Sequence, residues 1–192
     1  MGYPEMMRDI MEQARREEIR GKRKYLETHP VIDELTGLYN DRYLHLRLDE
    51  EMARAKLYSK HLSFIMLELG CVRMIDDKTK NPDEEEVLKT TSDIINSRIR
   101  HDIDLVFRYR EDKFAIILPE VNMHHADNVA QSIQEQFRKE KKGNITMHAG
   151  VVQCDYHDHA EELIRSASDA LLKGKKNQRD KLRGDMVDQG KI

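Results

Sequence analysis

The fold of this chain is decided by residues 106–119, which read Val106-Phe107-Arg108-Tyr109-Arg110-Glu111-Asp112-Lys113-Phe114-Ala115-Ile116-Ile117-Leu118-Pro119. Two arms rich in aromatic and branched residues flank a run of four charges, so the pattern predicts a β-hairpin with its tip at 110–113. Tight two-residue hairpin turns favour Gly or Asn because they need positive φ, and this tip has neither. We therefore expect either another turn type or local strain.

Outward from the hairpin, apolar periodicity predicts helices and strands on both sides. Helical spacing covers residues 41–60, 84–99, 124–139 and 160–172, whereas apolar runs at 62–69 and 145–153 are typical of strands. A hairpin that lies between helices excludes a purely parallel sheet. The order indicates an α/β (α+β) fold with a mixed sheet flanked by helices, and the chain beyond residue 172 reads as a fraying tail.

The composition excludes several classes of protein. The chain has 192 residues, of which 36% are charged and 39% hydrophobic, and this suits one domain with an appendage. A net charge of −3 gives no indication of nucleic-acid binding, and no apolar run approaches the roughly 20 residues of a membrane span. Without a signal peptide, we expect a cytoplasmic protein with reduced thiols at Cys71 and Cys154.

The N-terminal segment predicts a helix over residues 5–27. Apolar side chains fall at helical spacing only at the start of this segment, at Met6, Met7, Ile10, Met11 and Ala14. Charged residues dominate after them. So thin a stripe fits a stalk that needs a partner, either a second copy or another protein, and equally a solvated helix that packs on its own domain. We expect a helical segment at 1–28, a domain at 29–180 and a flexible charged tail at 181–192.

Four ordered motifs resemble one known family, that of the GGDEF domain or diguanylate cyclase, over about residues 31–180. They are Asp33-x-Leu35-Thr36-Gly37-Leu38-x-Asn40, the hairpin in place of Arg-Tyr-Gly-Gly-Asp-Glu-Phe, Ile145-Thr146-x-x-Ala149-Gly150-Val151, and Ala167-x-x-Ala170-Leu171-x-x-x-Lys175. The resemblance implies a ferredoxin-like palm with a central mixed, mainly antiparallel sheet. In active members, two such domains each present a GTP and join them into cyclic di-GMP.

The hairpin motif is degenerate, since Arg110-Glu111-Asp112-Lys113-Phe114 stands where the family has Gly-Gly-Asp-Glu-Phe. The resemblance implies metal-binding carboxylates at Glu68 and Asp112, but Lys113 replaces the following acid. At about 5 Å and an effective dielectric of ~20, the repulsion between the Lys113 ammonium and each unit of positive charge on a metal ion would be roughly 3 kcal/mol. Arg110 and Glu111 also fill space that glycines leave for phosphates. We expect no catalytic residue and no cofactor, with Mg²⁺ only if nucleotide binding persists.

Other family positions are partly kept. The nucleotide-binding residues implied by the resemblance map onto Asp76, Glu85, Lys175 and Arg179, and Asp76 lacks the amide donors of the family's Asn. The family's inhibitory product site maps onto His101 and Asp104, a degenerate pair, with Arg98 and Arg100 close by.

Three functions follow from these residues. The leading hypothesis is a catalytically inactive diguanylate-cyclase-like domain that acts as a regulatory or protein-interaction module in bacterial signalling. One alternative is a receptor for GTP or cyclic di-GMP that grips phosphates without metal. The other is a residual cyclase with a rebuilt site of Glu68, Asp112, Lys175 and Arg179.

Overall fold

The computed structural model describes residues 29–71, 84–140, 145–155 and 159–188, together with eight scattered residues between 10 and 24 that are all helical. The side chains of Cys71 and of residues 177–188 lie outside this description. In chain order the elements are β1 (Tyr39–Asn40), α1 (Asp41–Tyr58), β2 (Leu62–Cys71), α2 (Glu84–Asn96), β3 (Leu105–Arg110), β4 (Lys113–Pro119), α3 (Met123–Glu140), β5 (Ile145–Gln153) and α4 (Ala160–Asp188).

The strands form one mixed sheet in the order β1-β3-β4-β2-β5. β1 runs parallel to β3, and every other neighbouring pair is antiparallel. Helices cover both faces, so the predicted α/β class with a mixed, mainly antiparallel sheet is confirmed.

The interior strand β2, which lies between β4 and β5, is apolar on both faces because each face meets a pair of helices. Ile65 and Leu67 point into the core below α2 and α3. Phe64 and Met66 point into the core below α1 and α4. Since side chains alternate along a strand, Glu68 continues the second set and lies on the α1/α4 face. The alternation of side chains along β2 therefore places one acid, Glu68, at the edge of the otherwise apolar α1/α4 face.

The predicted boundaries hold for most elements and fail at two helix ends. α2 ends at Asn96 rather than at residue 99. α4 does not end at residue 172 but continues to Asp188. Leu171, which is 2% exposed, is the last buried residue of α4 whose burial is described, and the sequence after it is rich in Lys and Arg, which are good helix formers.

The hairpin tip is shorter than predicted, because β3 and β4 are joined by Glu111 and Asp112 alone. Neither residue has positive φ, so the turn is not one of the type I′ or II′ turns that are usual in two-residue hairpins. The sequence analysis expected either another turn type or local strain, and the structure shows another turn type. The register shifts between Arg108 and Arg110, which leaves Tyr109 as a bulge. A bulge adds local twist, and Arg108 Nη2 closes the turn by donating to the Glu111 carbonyl at 3.0 Å.

The loop before α1 is held by side chains of its own. Asp33 Oδ1 accepts hydrogen bonds from the backbone N–H of Thr36 at 2.9 Å and from its hydroxyl at 2.6 Å. Gly37 has a φ of 70°, which explains the glycine there. Asn40 caps α1 by accepting from the Tyr43 N–H at 3.2 Å.

Asp33 also connects this loop to the hairpin, because Arg108 Nη1 lies 3.5 Å from its Oδ1. Burial alone would raise the pKa of the Asp33 carboxyl, but the hydrogen bonds from Thr36 and the charge and hydrogen bond of Arg108 outweigh it. The pKa is therefore held below its ordinary value of 3.8. A group with a depressed folded-state pKa stabilises the protein above its unfolded pKa, and this contribution is lost as the pH falls.

We predict that Gly150→Ala lowers the free energy of unfolding by about 3 kcal/mol. A Cβ on Gly150 would lie 2.1 Å from the Ala167 carbonyl oxygen and 2.5 Å from the Leu171 nitrogen, and both are backbone atoms of α4. The matched control is Gly174→Ala, whose Cβ would meet only the Ala149 carbonyl oxygen at 3.6 Å. It should gain up to about 1 kcal/mol from helix propensity. Urea denaturation measures both, and equal effects would contradict the close approach of β5 and α4.

A second prediction concerns Asp33→Asn. At pH 7 this variant should lose about 1 kcal/mol of stability, because a charged acceptor for Thr36 and Arg108 is removed. The difference from the wild type should shrink as the pH falls below about 4, because the Asp33 carboxyl is protonated first in the unfolded chain and only at lower pH in the folded protein. Urea denaturation between pH 3 and pH 7 gives the result, with the exposed neighbour Glu34→Gln as control. A difference that stays constant over this range would contradict the depressed pKa.

Candidate functional site

The candidate site lies on the α1/α4 face at the end of the sheet that carries the hairpin. The strand register places Glu68 of β2 opposite Lys113 of β4 and, on its other side, opposite His148 of β5. Directly opposed residues on antiparallel strands share a face. Three ionisable side chains therefore form a row across the three strands.

The carboxylate of Glu68 lies between two ammonium groups. Lys175 Nζ, from α4, is 2.5 Å from Glu68 Oε1, and Lys113 Nζ is 4.0 Å from Glu68 Oε2. The side chain of Glu68 is 14% exposed, that of Lys175 24% and that of Lys113 33%. At 4 Å and an effective dielectric of about 20, the attraction of one pair is about 4 kcal/mol before desolvation is subtracted. Lys113 therefore points towards the acid, a direction that the sequence left open.

This arrangement does not fit a divalent cation. Each oxygen of Glu68 faces an ammonium group, so a second positive ion there would meet repulsion rather than an open ligand. Within the part of the chain that the structure describes, no three His, Cys, Asp or Glu side chains cluster in a way that could hold a metal ion. The Mg²⁺ ligands expected at Glu68 and Asp112 thus lack the donor set that Mg²⁺ prefers, which is several oxygen ligands.

Side chains occupy the hairpin tip. The guanidinium of Arg110 lies 5.2 Å from the centroid of the Tyr109 ring, which is a cation–π distance. Glu111 is exposed and Asp112 half-buried, and the Asp112 carbonyl accepts from the Leu69 N–H at 2.9 Å. Phe114, the last residue of the motif, is fully buried on the other face of the sheet. The tip is therefore a hydrogen-bonded turn with two exposed charged side chains.

The expected nucleotide-binding residues are only partly brought together. Lys175 meets Glu68, so it stands beside the expected metal position. Glu85 lies in the first turn of α2, where it is exposed and pairs with Lys89 at 3.7 Å. Asp76 lies outside the described residues, and so does the side chain of Arg179.

The two residues that map onto the family's inhibitory product site, His101 and Asp104, lie in different surroundings. Asp104 has a side chain only 3% exposed, and it accepts from the guanidinium of Arg100 at 2.5 Å and from the Arg100 backbone N–H at 2.8 Å. Arg100 also donates to the Pro119 carbonyl at 2.7 Å, and its hydrogen bond to Asp104 raises its pKa further. His101 is exposed. The oxygens of Asp104 are thus occupied by Arg100, which lies close to the expected site.

Sequence reasoning missed the third strand of the site. Thr146 Oγ1 donates to the Gly70 carbonyl at 3.1 Å and lies 3.1 Å from His148 Nε2. Strand alternation could have placed Thr146 and His148 on the same face as Gly150, which is the face that approaches α4. Only the pairing of β5 with β2 shows that this is also the face of Glu68.

No helix in the described part of the chain combines the length and the apolar composition that crossing a bilayer requires.

Comparison with known proteins gives a family and several relatives. Residues 30–181 match the family model "Diguanylate cyclase, GGDEF domain". The chain is 26% identical over 184 residues to the diguanylate cyclase DosC of Shigella sonnei, an alignment that covers 92% of this chain and 37% of that protein. The chain therefore spans little more than a third of the length of this curated relative.

Solved structures show the same fold. The diguanylate cyclase SiaD of Pseudomonas aeruginosa, crystallised with its activator SiaC, superposes with a TM-score of 0.69 at 24% identity, covering 91% of this chain and 71% of that chain. The GGDEF domain of DgcB from Caulobacter crescentus, crystallised with c-di-GMP, gives a TM-score of 0.70 at 18% identity, covering 77% and 89%. The match to the family model spans most of the sequence and the fold agrees with it, so the chain belongs to the GGDEF family of diguanylate cyclase domains.

Proposed function

We propose that this GGDEF domain is catalytically inactive and acts as a regulatory or protein-interaction module in bacterial signalling. The observation that carries the proposal is the position of Glu68 between Lys113 and Lys175. Joining two nucleoside triphosphates requires metal ions that neutralise the phosphates and activate a hydroxyl. Here the acid that would hold such an ion is already neutralised by side chains of the protein.

The hairpin supports the same conclusion by its shape. Arg110 and Glu111 stand where the family motif has two glycines, and Arg110 is exposed against Tyr109. Glycines let phosphates lie against bare backbone, whereas these side chains fill that space. A misplacement of about 1 Å can cost about 10²-fold in rate, so bulk and reversed charge together suffice to abolish turnover.

The interaction role rests on the charged N-terminal helix and on the relatives. SiaD was crystallised with an activator protein, which is a precedent for a protein partner in this family. A cytoplasmic location is part of this proposal, because the nucleotides that the family uses are found there.

We predict no cyclic di-GMP above a protein-free blank when the purified protein is incubated with GTP and Mg²⁺ or Mn²⁺. The triple variant Arg110→Gly/Glu111→Gly/Lys113→Glu restores the family motif and should raise turnover above that of the wild type. The control Lys173→Glu makes the same charge change at an exposed residue of α4. Product from the wild-type protein would contradict the proposal directly.

A second candidate function is a metal-independent receptor for GTP, ATP or cyclic di-GMP. The observation in its favour is that Lys113 and Lys175 remain partly exposed while they flank a single carboxylate, so the site carries one surplus positive charge. Together with the exposed Arg110, they offer cationic donors to phosphate oxygens.

For this candidate, calorimetry in EDTA should detect binding of at least one of the three nucleotides, and Mg²⁺ should not strengthen it. Lys175→Ala should weaken the binding at least tenfold, whereas the exposed Lys173→Ala should not change it. The absence of heat with all three nucleotides would eliminate the receptor and leave the interaction module.

For the N-terminal segment, we propose a dimer formed through Met7, Ile10, Met11 and Ala14. Ile10 and Ala14 are helical and exposed, which fits an apolar stripe that needs a partner, whereas Met7 and Met11 lie outside the described residues. Light scattering should show a dimer that becomes a monomer when residues 1–27 are deleted. An oligomeric state that is unchanged by this deletion would argue against the stalk.

A further inference from the structure

The strand β5 forms one edge of the sheet and is bonded on one side to β2. The Cys154 N–H donates to the Leu62 carbonyl at 2.8 Å, which extends the β2–β5 register by one pair. The main-chain groups of successive strand residues point to opposite sides, so the even-numbered residues of β5 bond to β2 and the odd-numbered ones point outward. These outward residues are Ile145, Met147, Ala149, Val151 and Gln153.

The outward main-chain groups of β5 are largely left without partners. Gln134 Nε2, from α3, donates to the Met147 carbonyl at 3.0 Å. For Ala149 and Val151, the part of the chain that the structure describes supplies no hydrogen bond to the outward N–H or C=O. Two consecutive outward residues thus offer two donors and two acceptors in the spacing of a strand ladder.

The sequence of β5 lacks the usual protection of a sheet edge. Native proteins protect such edges with charged residues, proline, bulges or very short strands. The opposite edge follows this rule, since β1 has two residues. β5 has nine residues, none of them Pro, Asp, Glu, Lys or Arg, and its register with β2 shows no shift. A long, regular and uncharged edge is a template for another strand.

On the α2/α3 face, the edge is apolar. The side chains of Ile145, Ala149 and Val151 are half-buried and pack against the core of this face. Because side chains alternate along a strand, an added strand with an apolar residue at every second position would cover them and continue this core by one strand.

On the other face, small residues of α4 leave room beside the edge. Lys175 reaches Glu68 of β2, so that flank of α4 faces the middle of the sheet and the other flank lies over the outer side of β5. This outer flank carries Ala170 and Gly174, which are one turn apart. A Cβ on Gly174 would lie 3.6 Å from the outward Ala149 carbonyl oxygen, which agrees with this placement.

The position of α4 argues against a second copy of this chain as the added strand. α4 lies directly on β5, because a Cβ on Gly150 would be 2.1 Å from the Ala167 carbonyl oxygen. If β5 paired with β5 of another copy, the two α4 helices would stand about one strand spacing apart, roughly 4.8 Å. Packed helices need about 8–10 Å between their axes. An extended segment with no helix above it avoids this clash.

We propose that the outward edge of β5 binds an extended, uncharged segment of a partner protein as a sixth strand of the sheet. Its main chain bonds to Ala149 and Val151, its apolar side chains lie on the α2/α3 face at every second position, and its other side chains lie beside Ala170 and Gly174. Main-chain hydrogen bonds supply affinity in this mode of recognition, and the alternate side chains supply specificity. The proposal rests on the interaction role proposed above and names the kind of partner.

The test follows amide hydrogen exchange of the full-length protein by NMR, with and without a peptide of alternating valine and threonine that carries one lysine at each end. In the protein alone, the amides of Ala149 and Val151 should exchange fast, whereas those of His148, Gly150 and Val152 should be protected by β2. The peptide should bind saturably below about 1 mM and protect the two outward amides. The same peptide with N-methylated valines should not bind, because it lacks the donors.

Three results would overturn the proposal. They are the absence of saturable binding up to about 1 mM, equal binding of the N-methylated peptide, and outward amides that are already protected in the protein alone. The last result would show that a second copy of the chain occupies the edge. None of these readouts depends on turnover of GTP, so failure here is distinguishable from failure of the catalytic inactivity proposed above.

Two variants test the edge itself. Ala149→Pro removes an outward N–H while it leaves the bonds to β2 in place, so the protein should fold and peptide binding should be lost. Gln134→Lys leaves the strand unchanged and places a charge over the edge, and it should weaken binding about tenfold. Asn128→Lys makes the same charge change at an exposed residue of α3 and should leave binding unchanged. Wild-type affinity in Gln134→Lys would contradict the assignment.

Discussion

The contact on which the functional account depends is that of one carboxylate with two ammonium groups. Glu68 receives Lys175 from the last helix and Lys113 from the neighbouring strand, so three elements converge on a single charge. A buried or half-buried acid must be paired to be tolerated, and here the protein supplies the partners itself. In this family the resemblance implies a metal ion at the same place. In the function proposed above, a lysine ammonium neutralises the acid in place of the metal ion, and the chemistry of the ion is lost with it.

The geometry of this contact follows from the core. β2 is buried on both faces, which fixes its alternation and therefore the face on which Glu68 emerges. Gly150 allows α4 to approach β5 so closely that Lys175, one turn beyond Leu171, reaches the strand row. The hairpin is in turn held by Arg108, which joins Asp33 to the Glu111 carbonyl. The site is thus positioned by the same contacts that stabilise the fold.

Much of the fold could be predicted from the sequence, because the boundaries of most helices and strands follow from their clear apolar periodicity. The strand 145–153 and the capped start of α1 are examples. The end of α4 could not be predicted, since neither Gly174 nor the charges after it stop a helix. The direction of Lys113 was also hidden: its strand is apolar on both faces, so the pattern alone does not tell which face meets α4. The pairing of Asp104 with Arg100 depends on a turn in which Asp102 has a φ of 65°.

The most direct measurement is Mn²⁺ binding by electron paramagnetic resonance, with the protein in excess of the metal and a non-hydrolysable GTP analogue present. The account predicts that the signal of the metal–nucleotide complex is the same with and without protein, because Lys113 and Lys175 already neutralise Glu68. A protein-bound Mn²⁺ signal that disappears in Glu68→Gln would show that the acid holds a metal ion, and it would contradict the account.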